Sequence, residues 1–120
     1  LSPNDGLAGG AIEALAAQNL AGKVVVTGGD AGLDAAKRIV AGTQSMTVYR
    51  DIKALAETAV IVAEKLARKE PLADLVQRKV NNGQVDVPSI FGKAVAVDKT
   101  NLDSILIDSG FQKREDVYGK

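Results

Sequence analysis

An α/β fold, with helices flanking a parallel sheet, is the class predicted by three features of this 120-residue chain. Short β-branched runs alternate with stretches of helical period in the order strand, helix, strand, helix. Residues 24–38, VVVTGGDAGLDAAKR, pass from such a run through glycines and aspartates directly into a helix. Two tyrosines and two phenylalanines in an alanine-rich chain predict close helix-on-sheet packing by small side chains.

The elements follow in order. Leu1 to Gly6 reads as the end of a strand breaking into a loop, with Asp5 a helix cap. From Gly6 to Leu20, Ala8, Ala11, Ile12, Leu15 and Ala16 fall at helical spacing, and Gly22 supplies the left-handed stop. Gly9-Gly10 weakens this helix locally, with close contact to alanine or backbone as the expected reason. Val24–Val26 is a continuous apolar run, the pattern of a parallel strand buried on both faces. A helix over Leu33–Val40 places Leu33, Ala36, Ile39 and Val40 on one side and ends at Gly42. Thr43–Tyr49 alternates as a second strand. A long helix over Asp51–Arg68 carries Ile52, Leu55, Ala56, Ala59, Ala63 and Leu66 as its inward stripe.

After Pro71 the rhythm changes. Asn81-Asn82-Gly83 is a turn signal, Val87-Pro88-Ser89 an extended segment and Ala94–Val97 a last short strand. Thr100 is placed to cap a helix over Asn101–Asp108, with Leu102, Ile105 and Leu106 inward and Gly110 closing it. Lys113–Lys120 reads as a charged, frayed tail.

Composition narrows the function. The length is that of one domain at most. Lys plus Arg equals Asp plus Glu at 15 each, and no run of one sign is long, so bulk charge predicts neither nucleic-acid nor membrane-surface binding. No apolar stretch is long enough to predict a membrane span, and no signal peptide is recognised. Without cysteine there is no disulfide or thiolate chemistry, and without histidine the usual general base and commonest metal ligand are missing. These absences weigh against catalysis and for binding.

In a parallel α/β sheet, residues just past the strands' carboxyl ends converge on the ligand. Asn4, Asp30 and Arg50 satisfy that rule and together offer an amide, an acceptor and a donor fork. That set suits a neutral ligand rich in hydroxyls, each of which both donates and accepts. The alternative from the same residues is structural: Asp30 caps the next helix, Asn4 makes a turn and Arg50 is a solvated charge. A dinucleotide enzyme is the rival function. Thr27-Gly28-Gly29-Asp30-Ala31-Gly32-Leu33-Asp34 begins like a TGxxxGxG turn, and Tyr49 and Lys53 have Tyr-x-x-x-Lys spacing. Asp34 stands where the third glycine belongs, and its carboxylate would repel a pyrophosphate. Asp5, Asp30 and Asp34 show no spacing of a calcium loop, so neither a metal nor a cofactor is expected.

The stretches SPNDGLAGGAI, AGTQSMTVY and NNGQVDVPS closely resemble the xylose-type branch of the periplasmic sugar-binding proteins that serve bacterial ABC transporters, within the ribose-binding-like, type I group. The resemblance covers nearly the whole chain. It implies the carboxyl-terminal portion of a type I periplasmic-binding-protein fold, a partial Rossmann-like sheet forming one partial domain, with a hinge-crossing region at about 84–94. It implies a non-enzymatic receptor that takes a pentose, D-xylose in type, and delivers it to a membrane permease from the periplasm. By the same resemblance Asn4 and Asp30 match sugar-contacting residues, while Arg50 stands where the family commonly has lysine and Gly29 where it often has glutamine. The implied receptor has a second, amino-terminal lobe, which supplies aromatic rings and charged contacts to the sugar. This chain is therefore expected to hold only part of a site, completed by that lobe or by a second copy. Self-association through an exposed sheet edge, without sugar binding, is the structural alternative.

Overall fold

The computed structural model describes residues 1–119. They divide into two units, Leu1–Arg50 with the chain from Ala94 onward, and Asp51–Lys93. In the first unit, helix α1 (Asp5–Ala17) and helix α2 (Leu33–Ala41) precede strand β1 (Thr47–Arg50). Strand β4 (Ala94–Val97), a π-helical turn over Asp103–Ile107 and helix α4 (Arg114–Tyr118) follow. The second unit holds helix α3 (Ile52–Ala67) and the strands β2 (Arg78–Asn81) and β3 (Asp86–Ser89).

β1 is the centre of the first unit's sheet. On one side the segment after Val26 runs parallel to it: Ser45 donates to Val26, Gly28 to Met46 and Asp30 to Val48, all backbone bonds of 2.8–2.9 Å, around a parallel bridge of Thr27 with Met46. On the other side β4 pairs antiparallel, from Thr47 opposite Val97 to Arg50 opposite Ala94. The parallel strand is thus displaced from the expected Val24–Val26 towards Asp30. Val24 and Val25 are 42% and 75% exposed while Val26 is buried; the two line an open hollow with Ala11, Ala14 and Leu15 of α1. β1 itself begins at Thr47, since residues 43–45 are spent closing α2: Thr43 and Gln44 both donate to the Arg38 carbonyl.

Helix ends show where local chemistry prevailed. Asn4, not Asp5, caps α1, accepting from the Leu7 amide at 2.8 Å. α1 stops at Ala17, earlier than expected, because Asn19 takes the left-handed conformation (φ 56°); Gly22 (φ 77°) belongs to the next turn. Gly42 does end α2 in the left-handed region. Thr100 is not a cap: its hydroxyl and amide both bond to Asp98 Oδ1 at 2.6 and 2.8 Å, and Asp98 in turn donates its amide to Asn101. Those bonds hold the Asp98 carboxyl below the usual aspartate range, the Thr100 hydroxyl acting most strongly.

Two apolar clusters form the core of this unit. Ala8, Ile12 and Val26 join α1 to the segment beside β1. Ala31, Ala36, Ile39, Val97, Leu102, Leu106 and Val117 join α2, β4, the π-helical turn and α4, with the Tyr49 ring edge-on to Phe111 at 4.8 Å. The expected frayed tail is therefore ordered as far as the described residues run, Lys120 lying outside them. Val117 is 5% exposed, and Arg114 and the Tyr118 hydroxyl both bond Asp103. The Tyr118 bond first, then Arg114, holds the Asp103 carboxyl below its ordinary range, and the same bond raises Tyr118.

In the second unit Asp51 caps α3 through the Ala54 amide at 3.0 Å. β2 and β3 form an antiparallel hairpin from Arg78 opposite Ser89 to Asn81 opposite Asp86. Its turn is the predicted Asn-Asn-Gly, with Gly83 at φ 94° and the Asn82 side chain accepting from Gln84 and Val85. No residue of α3 is buried. The predicted inward stripe instead stands open, with Ile52 63% and Leu66 59% exposed; of its residues Leu55, Ala59, Ala63 and Leu66 line a groove of about 760 Å³ with Leu72 and Phe91.

Candidate functional site

The segment running from the parallel strand into α2 carries the candidate ligand group. Asp30 and Ala31 both have positive φ, 93° and 55°, a conformation that side chains other than glycine adopt at a cost of about 1–3 kcal/mol. The consequence is directional. Asp30 is turned out to solvent while Ala31 is fully buried in the core. Asp30 Oδ1 lies 3.7 Å from Arg50 Nη1, at the end of β1, with the two side chains 65% and 50% exposed. An exposed pair at this distance contributes little to stability, so both groups remain available to a ligand.

Asn4 reaches the same end of the sheet from α1. The next residue, Asp5, donates its amide to the Gly29 carbonyl at 2.8 Å, and a Cβ on Gly29 would stand 3.8 Å from Asn4 Cα. The three residues predicted from the sequence are thus neighbours. Their chemistry is sharper than residue type alone indicates. Asn4 Oδ1 is committed to capping α1, which leaves its Nδ2 as the group not used by the cap. The three residues then offer one acceptor, Asp30, and two donors, a set chemically matched to vicinal hydroxyls.

Beneath these residues lies a polar cluster that sequence reasoning missed. Asp5, expected as a cap, is instead 8% exposed, and its carboxylate accepts from Gly32 N at 2.9 Å, Gln44 Nε2 at 2.9 Å and the Thr47 hydroxyl at 2.8 and 3.0 Å. Arg38 closes the ring, donating from Nε to Gln44 Oε1 and from Nη2 to the Asp5 carbonyl. The Arg38 guanidinium crosses α1 at Gly9, where a Cβ would stand 3.2 Å from Nη1, while Gly10 faces open space; the neighbour is thus an arginine side chain and not the expected alanine or backbone. The carboxylate also sits at two helix amino termini, its own and that of α2 through Gly32, where the helix dipole favours negative charge. The only trace in the sequence is an aspartate directly after a capping asparagine, together with polar residues at the inward-facing Gln44 and Thr47.

The glycine turn takes its meaning from this cluster. A Cβ on Gly28 would meet Asp5 Oδ1 at 2.1 Å and Gln44 Nε2 at 2.6 Å. The space that a phosphate would enter in a dinucleotide site is filled here by a carboxylate. Tyr49, the tyrosine of the dehydrogenase-like spacing, has its ring packed on Phe111.

Comparison with known proteins identifies the family. Residues 1–71 match the family described as periplasmic binding protein domain. The chain is 47% identical over 118 residues to the D-xylose-binding periplasmic protein of Escherichia coli and 44% identical over 118 residues to that of Haemophilus influenzae. In each case the match covers 98% of this chain and 35% of the relative, so the chain spans about a third of the length of these proteins. Among solved structures, a carbohydrate transporter solute-binding protein from Chloroflexus aurantiacus in complex with D-glucose superposes with a TM-score of 0.81 at 36% identity, over 95% of this chain and 33% of its own.

Proposed function

The chain belongs to the periplasmic binding protein domain family, and from that premise we propose that it forms part of the sugar site of a receptor for a D-xylose-type pentose. The receptor works in the periplasm and hands its sugar to an ABC permease; it binds and does not catalyse. Asp30 accepts from sugar hydroxyls, and Arg50 and the Asn4 amide donate to them. The observation that carries this reading is the exposed Asp30–Arg50 pair, presented by a strained turn at the carboxyl end of the parallel strand. Names of the relatives, D-xylose-binding periplasmic proteins, supply the substrate class. Within this reading residues 84–94, which contain β3 and end at the boundary between the two units, are the hinge-crossing segment, and the remaining contacts to the sugar come from a second lobe.

The test is a chimera in which this chain replaces the matching segment of the Escherichia coli protein. Titration calorimetry should show D-xylose binding that Asp30→Asn weakens by about 10- to 100-fold, the worth of a hydrogen bond to a charged group. Arg50→Lys should cost less. A folded chimera indifferent to Asp30→Asn refutes the assignment. The 120-residue chain alone is expected to bind D-xylose weakly or not at all.

A second reading is favoured by the exposed Val24 and Val25. Two copies would associate through this apolar surface, which adjoins the parallel segment at Thr27, and sedimentation velocity that finds only monomer at high concentration removes the reading.

A further inference from the structure

The residues that meet a ligand at Asp30 do not explain how Asp30 keeps its geometry. Two successive non-glycine residues with positive φ persist only where the surroundings over-determine them. Two amides of the turn, those of Ala31 and Gly32, are held by one buried side chain and its direct partner, and the other groups by backbone and by Gln112. The Asp5 amide holds the Gly29 carbonyl at 2.8 Å, and Asp5 Oδ2 holds the Gly32 amide at 2.9 Å. Between them, the Ala31 amide donates to the Thr47 hydroxyl at 3.1 Å, and that hydroxyl donates to Asp5. The Ala31 carbonyl accepts from Gln112 at 3.1 Å.

We propose that Asp5 is the positioning residue of the site: its buried carboxylate, acting with Thr47, clamps the Gly29–Gly32 turn so that Asp30 is held in its outward, positive-φ conformation before any ligand arrives. The same residue adjoins Asn4 in sequence and grips β1, the strand that ends in Arg50. All three ligand-facing groups are therefore registered on one carboxylate that itself touches no ligand. This rests on the reading of Asp30 as a ligand acceptor; the clamp itself is measurable without ligand.

Thr47 separates positioning from general support. Thr47→Val removes the acceptor of the Ala31 amide and one donor to Asp5, whereas Thr47→Ser keeps the hydroxyl. The readout is amide hydrogen exchange in the 120-residue chain at Asp30 and Gly32, whose own acceptors, the Val48 carbonyl and Asp5 Oδ2, are untouched by either substitution. Both amides should exchange at least about tenfold faster in Thr47→Val and at the original rate in Thr47→Ser, with the Ile39 amide in α2 unchanged in both. Asp5→Asn, which puts an NH₂ group against the Gly32 or Gln44 donors, should accelerate the same two amides. The proposal is overturned if Asp30 and Gly32 are unaffected in Thr47→Val and Asp5→Asn, or if Ile39 accelerates equally. It is also overturned if serine does not restore them. Because exchange involves no sugar, failure of the clamp is distinguishable from failure of the Asp30→Asn titration.

Discussion

Helices α2 and α3 both carry an apolar stripe, yet α2 buries Ala35, Ala36 and Ile39 whereas α3 buries nothing. The first sits over Val97, Leu102 and Leu106. The second, in its own unit, faces Leu72, Pro88 of the hairpin and the segment around Phe91 across an open groove. Amphipathic periodicity thus states which face of a helix seeks burial and leaves open whether the chain supplies a cover. The polar groups divide the same way. In the first unit a charged side chain is buried with a donor for every oxygen; in the second the ion pairs Lys65–Asp74 and Arg68–Glu64 are at the surface.

The strongest way to break this contrast is at Gly28. Gly28→Ala drives a methyl into Asp5 Oδ1 and Gln44 Nε2, and because those atoms are fixed in a buried network the substitution should cost about 3 kcal/mol or more, read by urea denaturation. Next, Leu106→Ala, at a fully buried site, should lose about 2–5 kcal/mol. Val60→Ala, on the exposed face of α3, should stay within about 0.5 kcal/mol. Equal effects would show that α3 has a cover in solution.

Asp30→Gly sharpens the contrast between stability and function. Removing a side chain at φ 93° should leave stability unchanged or raised by up to about 1 kcal/mol, while the chimera loses sugar affinity. A lowered melting temperature would mean that the Asp30–Arg50 pair is structural. The smallest expected effect is at the end of α4. The folded Asp103 carboxyl titrates below its ordinary 3.8, so its contribution is present above that value and is lost as pH falls through the lowered folded one. The Val117 amide should accordingly become less protected in acid, and Asp103→Asn should remove that pH dependence.

Much of this was legible in the chain itself. The alternation of strand and helix, the Gly42 and Gly110 stops, the Asn-Asn-Gly hairpin and the inward faces of α2 and of residues 102–106 all follow from local rules. Asn4, Asp30 and Arg50 were selected by the rule that loops after parallel strands converge; Asp30 lies against Arg50 and the Asn4 backbone beside Gly29. What failed locally failed for identifiable reasons. Asp5 next to a capping asparagine looks like another cap, and its partners Gly32, Gln44 and Thr47 are 27 to 42 residues away. Val24 and Val25 look doubly buried because β-branched runs usually are, and among the described residues no strand pairs with them.

Sequence alone determined the α/β class, the family resemblance and the residue types at the sheet's carboxyl end, since these depend on periodicity, turn chemistry and motif. Tertiary structure alone decided that β4 runs antiparallel, that α3 remains uncovered and that the glycine turn encloses a carboxylate instead of a phosphate. Strand direction, burial and the pairing of a buried charge are properties of residues far apart in the chain, and their energies exist only once those residues have met.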